Sequence, residues 1–180
     1  MENENALLEI TYSSKFDEDL NIIKCWAEIS TINIVTEDET IVGTANFNFY
    51  NTLEYDNWLV VVFVADGDSG DDYFALETLG DKFDEDEILG YSIVLLKTLE
   101  IEPSYQNKGI GTQAIKEFFK YWSYLGAEIF TLKPAPLNSG IKGGNRKKYI
   151  ERLVRFYSKL DFEEIWNAEE REPYLYKFLD

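Results

Sequence analysis

The run Pro103-Ser104-Tyr105-Gln106-Asn107-Lys108-Gly109-Ile110-Gly111-Thr112 carries the residue types that could hold a phosphate group. An apolar stretch (Ile93, Val94, Leu95, Leu96, then Leu99 and Ile101) leads into it. A segment of helical period follows, with Ile115, Phe118, Phe119 and Trp122 on one face. A strand, a glycine turn and a helix N-terminus in that order present unpaired backbone N–H groups and roughly half a positive charge from the helix dipole. Gly109 and Gly111 would let the backbone approach a ligand with no Cβ in the way. The spacing is Q-x-x-G-x-G, which is neither a Walker loop nor a dinucleotide fingerprint. The chain has no histidine, so the commonest general base and the commonest transition-metal ligand are both missing. Histidine-dependent triads and the usual zinc sites are excluded, and no metal site is expected.

The elements that must position this turn follow from periodicity. Ala6 to Tyr12, Asn21 to Thr36 and Thr40 to Tyr50 alternate and are rich in β-branched or aromatic residues, so they read as strands. In the third, Ile41, Ala45, Phe47 and Phe49 are expected on one face. Trp58 to Ala65 reads as a buried strand, Asp66 to Asp71 as a turn-rich break, and Asp72 to Lys82 as a helix. Then come a strand (Ile88–Ile101), the glycine turn, a helix (Thr112–Tyr124) stopped by Gly126, and a strand from Ala127 to Leu132. Pro134 and Pro136 end that strand. Asn138 to Asn145 reads as a glycine-rich loop and Arg146 to Leu160 as a helix. Two short strands, Phe162–Trp166 and Tyr174–Phe178, flank an acidic turn. The order is that of an α/β (α+β) fold with helices packed on a mixed sheet.

From about Ile88 to Phe178 the chain resembles the GNAT superfamily of acyl-CoA-dependent N-acyltransferases. The resemblance rests on the strand Leu99-Glu100-Ile101, on Pro103 and Tyr105, on Gln106 to Gly111 as Q/R-x-x-G-x-G/A, and on Phe156-Tyr157-Ser158-Lys159-Leu160-Asp161-Phe162 as F/L-Y-x-K-L-G-F. It implies a mixed, mostly antiparallel sheet flanked by helices, with acetyl-CoA as co-substrate. An amine would attack the thioester directly, with no covalent enzyme intermediate. The backbone of Gln106, Asn107, Lys108, Gly109, Ile110, Gly111 and Thr112 would take the pyrophosphate. The strand at Leu99 and Ile101 would pair with the pantetheine arm and polarise the thioester carbonyl. Tyr157 matches the family tyrosine that protonates the departing thiolate. It also falls on an apolar stripe with Ile150, Leu153 and Val154, which a core residue would do equally. Glu100 alternates away from Leu99 and Ile101 and is the leading base, with Glu102, Asp66 and Asp68 behind it. Lys108, Lys142, Arg146, Lys147 and Lys148 could meet an outlying phosphate. Two departures stand out. Ile150 occupies a place where the family often has an asparagine, and Asp161 replaces the usual glycine, though aspartate tolerates the left-handed conformation.

Composition bounds the rest. At 180 residues and 45% hydrophobic, residues 1–180 read as one GNAT-like domain with a sizeable core, an acidic part over 1–87 and an acyl-CoA-binding part over 88–180. The lone Cys25 excludes an internal disulfide, the N-terminus has no signal-peptide pattern, and the longest apolar run is far short of a membrane span. A cytoplasmic protein without membrane contact is expected. Residues 1–90 hold 22 acidic and 3 basic side chains and residues 91–180 hold 12 and 14, so the halves carry -19 and +2 of the net -17. Such a surface excludes a basic nucleic-acid binder and favours a cationic amine acceptor, a small molecule or a peptide. Simple solubility would explain the acids as well. A catalytically silent protein of the same fold, or an acidic nucleic-acid mimic, are the competing classes. The oligomeric state is left open, a homodimer among the options.

Overall fold

The computed structural model describes residues 6–136 and 142–180. The sequence begins the sheet with three long strands, β1 (Ala6–Asp17), β2 (Ile22–Asn33) and β3 (Glu39–Asn51), each paired antiparallel with the next. Two helices, α1 (Trp58–Asp68) and α2 (Gly70–Lys82), and a single turn of helix, α3 (Glu85–Ile88), lead back to β4 (Ser92–Ile101), antiparallel to β3. Then follow α4 (Ile110–Tyr124), β5 (Ile129–Leu132), α5 (Gly143–Ser158), β6 (Glu163–Ile165) and β7 (Tyr174–Phe178). The sheet order is β1-β2-β3-β4-β5-β7-β6, and among the described residues only the β4–β5 pairing is parallel.

One apolar layer lies between the sheet and α4 with α5, holding Phe47, Phe118, Trp122, Phe130 and Tyr157. The other lies between the sheet and α1 with α2, holding Tyr50, Trp58, Leu76, Ile93 and Tyr174. Phe47 anchors the first layer edge-on, with ring centroids 4.9 Å from Phe118 and 5.4 Å from Trp122. On α4, Ile115, Phe118 and Trp122 are buried as the helical period requires, and Gly126 turns the chain with φ 85°.

Trp58 to Ala65 is helix, not strand. A continuous apolar run has no period to separate the two, and here Asn57 decides by accepting the Val60 N–H at 3.2 Å as an N-cap. Trp58, Val61, Val62 and Ala65 then point into the core at helical spacing. The helix continues through Gly67 and Asp68, so the break expected over 66–71 shrinks to Ser69. That residue ends α1 in extended conformation and caps α2 with its hydroxyl on the Asp72 N–H at 3.2 Å. The strand expected from Ile88 starts only at Ser92, because Asp84 caps α3 first.

Ile41 is 52% exposed, and Val42 takes the core position instead. A bulge opposite Ile29 and Ser30 shifts the register and reverses which residues of β3 face inward. Just beyond it, a Cβ on Gly43 would lie 2.5 Å from the Glu100 carbonyl oxygen and 2.8 Å from Ile101 Cδ1. The helix expected from Arg146 starts at Gly143, so Gly143 to Asn145 are helical, and residues 138–141 of the expected glycine-rich loop lie outside the described residues.

Candidate functional site

Four paired positions between β4 and β5, Ile93 with Ile129 to Leu96 with Leu132, join the two arms of the sheet. Past Leu132 the chain leaves β5 and heads to Pro134 and Pro136, while β4 runs on to Ile101. The strands therefore part and leave a cleft of about 250 Å³. Leu99, Glu100, Ile101, Gln106, Lys133 and Tyr157 are among its walls. A second bulge lies here: Asn46 pairs with Thr98 and Phe47 with Leu96, so Lys97 is the extra residue of β4.

At the end of β4 the Glu102 N–H donates to the Val42 carbonyl at 2.9 Å, and Pro103 to Tyr105 form one 3-10 turn. The Gln106 side chain turns back and donates to the Ile101 carbonyl at 2.8 Å. Gln106 thus fixes the turn to the strand with its side chain. Asn107 (φ 60°) and Gly109 (φ 82°) take the left-handed conformation, and α4 begins at Ile110 with no side-chain cap. Its first bond is the Gln113 N–H to the Gly109 carbonyl at 3.0 Å. A Cβ built on Gly109 meets no atom within 4 Å. An uncapped helix start with open space in front of it fits an anionic oxygen.

Among the cations, Arg152, which is not one of the expected five, reaches the turn and donates to Asn107 Oδ1 at 3.1 Å. Lys108 lies over the Tyr105 ring, 5.2 Å from its centroid. Arg146 forms a fork with Glu172, its terminal nitrogen 2.7 Å from Oε2. With Lys147 it lines a separate groove of about 1000 Å³ between α5 and the β6–β7 hairpin. Lys142 and Lys148 are exposed.

Tyr157 is 7% exposed on the cleft wall, with ring centroids 4.9 Å from Phe156 and 5.3 Å from Phe162. Burial, with a smaller effect of Tyr149, pushes its phenol well above the ordinary tyrosine value, so the proton stays on. Asp161, after α5, takes φ 63°, the left-handed turn that its place in the motif requires. Glu100 is exposed and lies on the opposite face of β4 from Leu99 and Ile101.

Asp68 is not available as a base. Burial alone would raise its carboxyl, but hydrogen bonds from Lys24, Lys97 and Asn48 hold it at about 2. Lys24 is 2.8 Å from Asp68 and 3.0 Å from Asp17, Lys97 pairs with both Asp68 and Asp72, and Asn48 donates to both aspartates. Asp66 is exposed on α1. Since the folded Asp68 carboxyl sits below its ordinary 3.8, its contribution is present above that value and lost as pH falls through the folded one. Asp68→Asn is therefore expected to cost about 2 kcal/mol of stability at pH 7 and almost nothing near pH 2. Chemical denaturation of both proteins at the two pH values measures this; a constant difference refutes it.

Sequence reasoning missed Lys97, Lys133, Asp72 and Arg152 as parts of the site. None lies in a motif, and only the bulge at Lys97 and the parting of the strands bring them there. The buried Cys25 thiol, pushed up to about 11 by burial, takes no part.

No family model matches the chain, and no curated protein matches it. Solved structures do. The chain is similar to Arabidopsis thaliana NAA60 in complex with acetyl-CoA, at 12% identity over 95% of this chain and 99% of that one, with a TM-score of 0.50. It is also similar to a polyamine N-acetyltransferase of Drosophila melanogaster (12% identity, 84% and 74% covered, TM-score 0.48). A third is a GNAT-family acetyltransferase of Staphylococcus aureus Mu50 (14% identity, 87% and 68% covered, TM-score 0.44). Seven mostly antiparallel strands among the described residues, a parallel join that opens into a cleft, and an uncapped helix beside it: the chain has the GNAT fold.

Proposed function

We propose that this protein is an acetyl-CoA-dependent N-acetyltransferase acting on an amine of a cationic acceptor. The observation that carries the reading is the uncapped start of α4 beside the β4–β5 cleft, with Tyr157 on the cleft wall. The residues fit the co-substrate: the backbone N–H groups from Gln106 to Thr112 would hold the pyrophosphate, and the strand at Leu99 and Ile101 would flank the pantetheine arm. Acetyl-CoA brings the acyl group as a thioester. In the direct attack that we infer, Tyr157 gives its proton to the sulfur as the C–S bond breaks. Glu100 accepts the amine proton through water as the C–N bond forms.

The acceptor side is supported by the open face of the sheet around Glu100. Cross-strand pairing sets Glu28 opposite Thr44 and Thr44 opposite Glu100, so both carboxylates share one row on one face. The next row holds the half-exposed Trp26, opposite Asn46, which faces Thr98. Two carboxylates and an indole suit an ammonium group. No helix among the described residues is long and apolar enough to cross a membrane.

Calorimetric titration with acetyl-CoA is the direct test, followed by turnover with polyamines, aminoglycosides and lysine peptides. Micromolar one-to-one binding is expected. Absent binding would leave the fold without this chemistry and return the acidic half to consideration as a partner-binding surface. Gly109→Ala should weaken acetyl-CoA about tenfold or more, since its Cβ projects into the space reserved for the phosphates. The left-handed φ adds only about 1 kcal/mol of strain. Undiminished affinity in that variant would remove the phosphate from the turn.

A further inference from the structure

The last residue pair of the parallel join is Leu96 with Leu132, and the residue that follows each is a lysine. Lys97 Nζ lies 2.8 Å from Asp68 Oδ2 and 2.8 Å from Ser69 Oγ, and also pairs with Asp72. Lys133 Nζ lies 2.8 Å from Asp71 Oδ1 and 3.1 Å from Glu170 Oε2. Both ammonium groups therefore end on one short segment, Asp68 to Asp72, where α1 stops and α2 starts. Two strands that have just ceased to bond to each other are each tied to the same third point.

The β4 bulge is what makes this possible. It leaves Lys97 without a partner in the β3 register, on the layer that contains α1 and α2, while Leu99 and Ile101 stay on the α4 layer. The anchor itself is stiff. Asp72 is fully buried and also accepts hydrogen bonds from Asn48 and Tyr50, both at 2.7 Å. Apolar side chains could hold the diverging walls only by filling the space between them. Ion pairs anchored outside the cleft hold its walls and leave it empty.

We propose that Lys97 and Lys133 are positioning residues that set the width of the cleft by tying both its walls to Asp68–Asp72, and so govern affinity for the acyl-pantetheine arm of acyl-CoA. The proposal rests on the acyl-CoA reading above. It separates two parts of one ligand: the arm, which the clamp controls, and the nucleotide phosphates, which the α4 turn controls.

The test titrates acetyl-CoA, and separately the nucleotide half of CoA (phosphoadenosine diphosphate), into wild-type protein, Lys133→Gln, Asp71→Asn and the Lys97→Met/Lys133→Gln double variant. Asp71 is 65% exposed, so Asp71→Asn spares the core even if the double variant folds poorly. Acetyl-CoA affinity should fall about tenfold in the single variants. The affinity for the nucleotide half should stay within about twofold, and Lys133→Arg should recover most of the loss. Unchanged acetyl-CoA affinity in the single variants, or equal losses for both ligands, overturns the clamp alone. Wild-type protein that binds neither ligand overturns the clamp and the acyl-CoA reading together.

Discussion

Tyr157→Phe is expected to lower turnover at least about 100-fold while acetyl-CoA affinity and stability hardly change. The ring is what packs: its edge-on contacts with Phe156 and Phe162 survive the loss of one oxygen. In the proposed mechanism the hydroxyl is what reacts, as donor to the sulfur that the C–S bond leaves behind. Because burial holds the phenol far above the ordinary tyrosine value, Tyr157 remains protonated across the working range. The sign follows: no alkaline fall in rate below about pH 10 belongs to this residue. Steady-state kinetics of the variant, with calorimetry of acetyl-CoA binding, decides the matter. An unaltered rate with a lowered melting temperature would make Tyr157 a core residue and nothing more.

Asp72→Ala should be among the most damaging substitutions in the chain, at about 3–5 kcal/mol. The carboxylate is fully buried and accepts from Asn48, Tyr50, Ser69 and Lys97. Burial first, and then the neighbouring Asp72 charge, push the Tyr50 phenol far above its usual value, so it remains a donor with nowhere else to give its proton. Removing the acceptor orphans that hydroxyl and leaves Lys97 with Asp68 and Ser69 only. Asp72→Asn keeps the shape and one acceptor oxygen and should recover part of the loss. Thermal melts of both variants measure this; for a chain of this size the alanine variant should melt about 10 °C lower. A fall of only one or two degrees would mean that the network contributes little.

Much of this layout was legible in residue types. The turn from Gln106 to Thr112 lies where its glycines and the preceding apolar strand put it, because local conformation alone demands it. The α5 stripe of Ile150, Leu153, Val154 and Tyr157 likewise packs inward. What the sequence concealed has two physical origins. A continuous apolar run carries no period, so Trp58 to Ala65 gave no sign of its helix until the Asn57 cap was taken into account. Bulges insert one residue and reverse every face beyond them, which is how Ile41 came to be exposed and Lys97 came to meet Asp68 and Asp72. Partnerships between distant charges, such as Lys133 with Asp71 or Arg152 with Asn107, depend on the finished topology and leave no local mark.

Gly43 shows how far the influence of the site extends. No side chain at that position can coexist with the Glu100 carbonyl at its present distance, because even a methyl would have to push β3 and β4 apart. The end of β4 is the wall that carries Leu99, Glu100 and Ile101. Over generations, position 43 is therefore not free to drift unless the wall drifts with it. Whatever selection preserves the cleft also holds a glycine on the neighbouring strand, outside every motif, which need never touch a ligand. The hereditary imprint of the site is wider than the set of residues that line it.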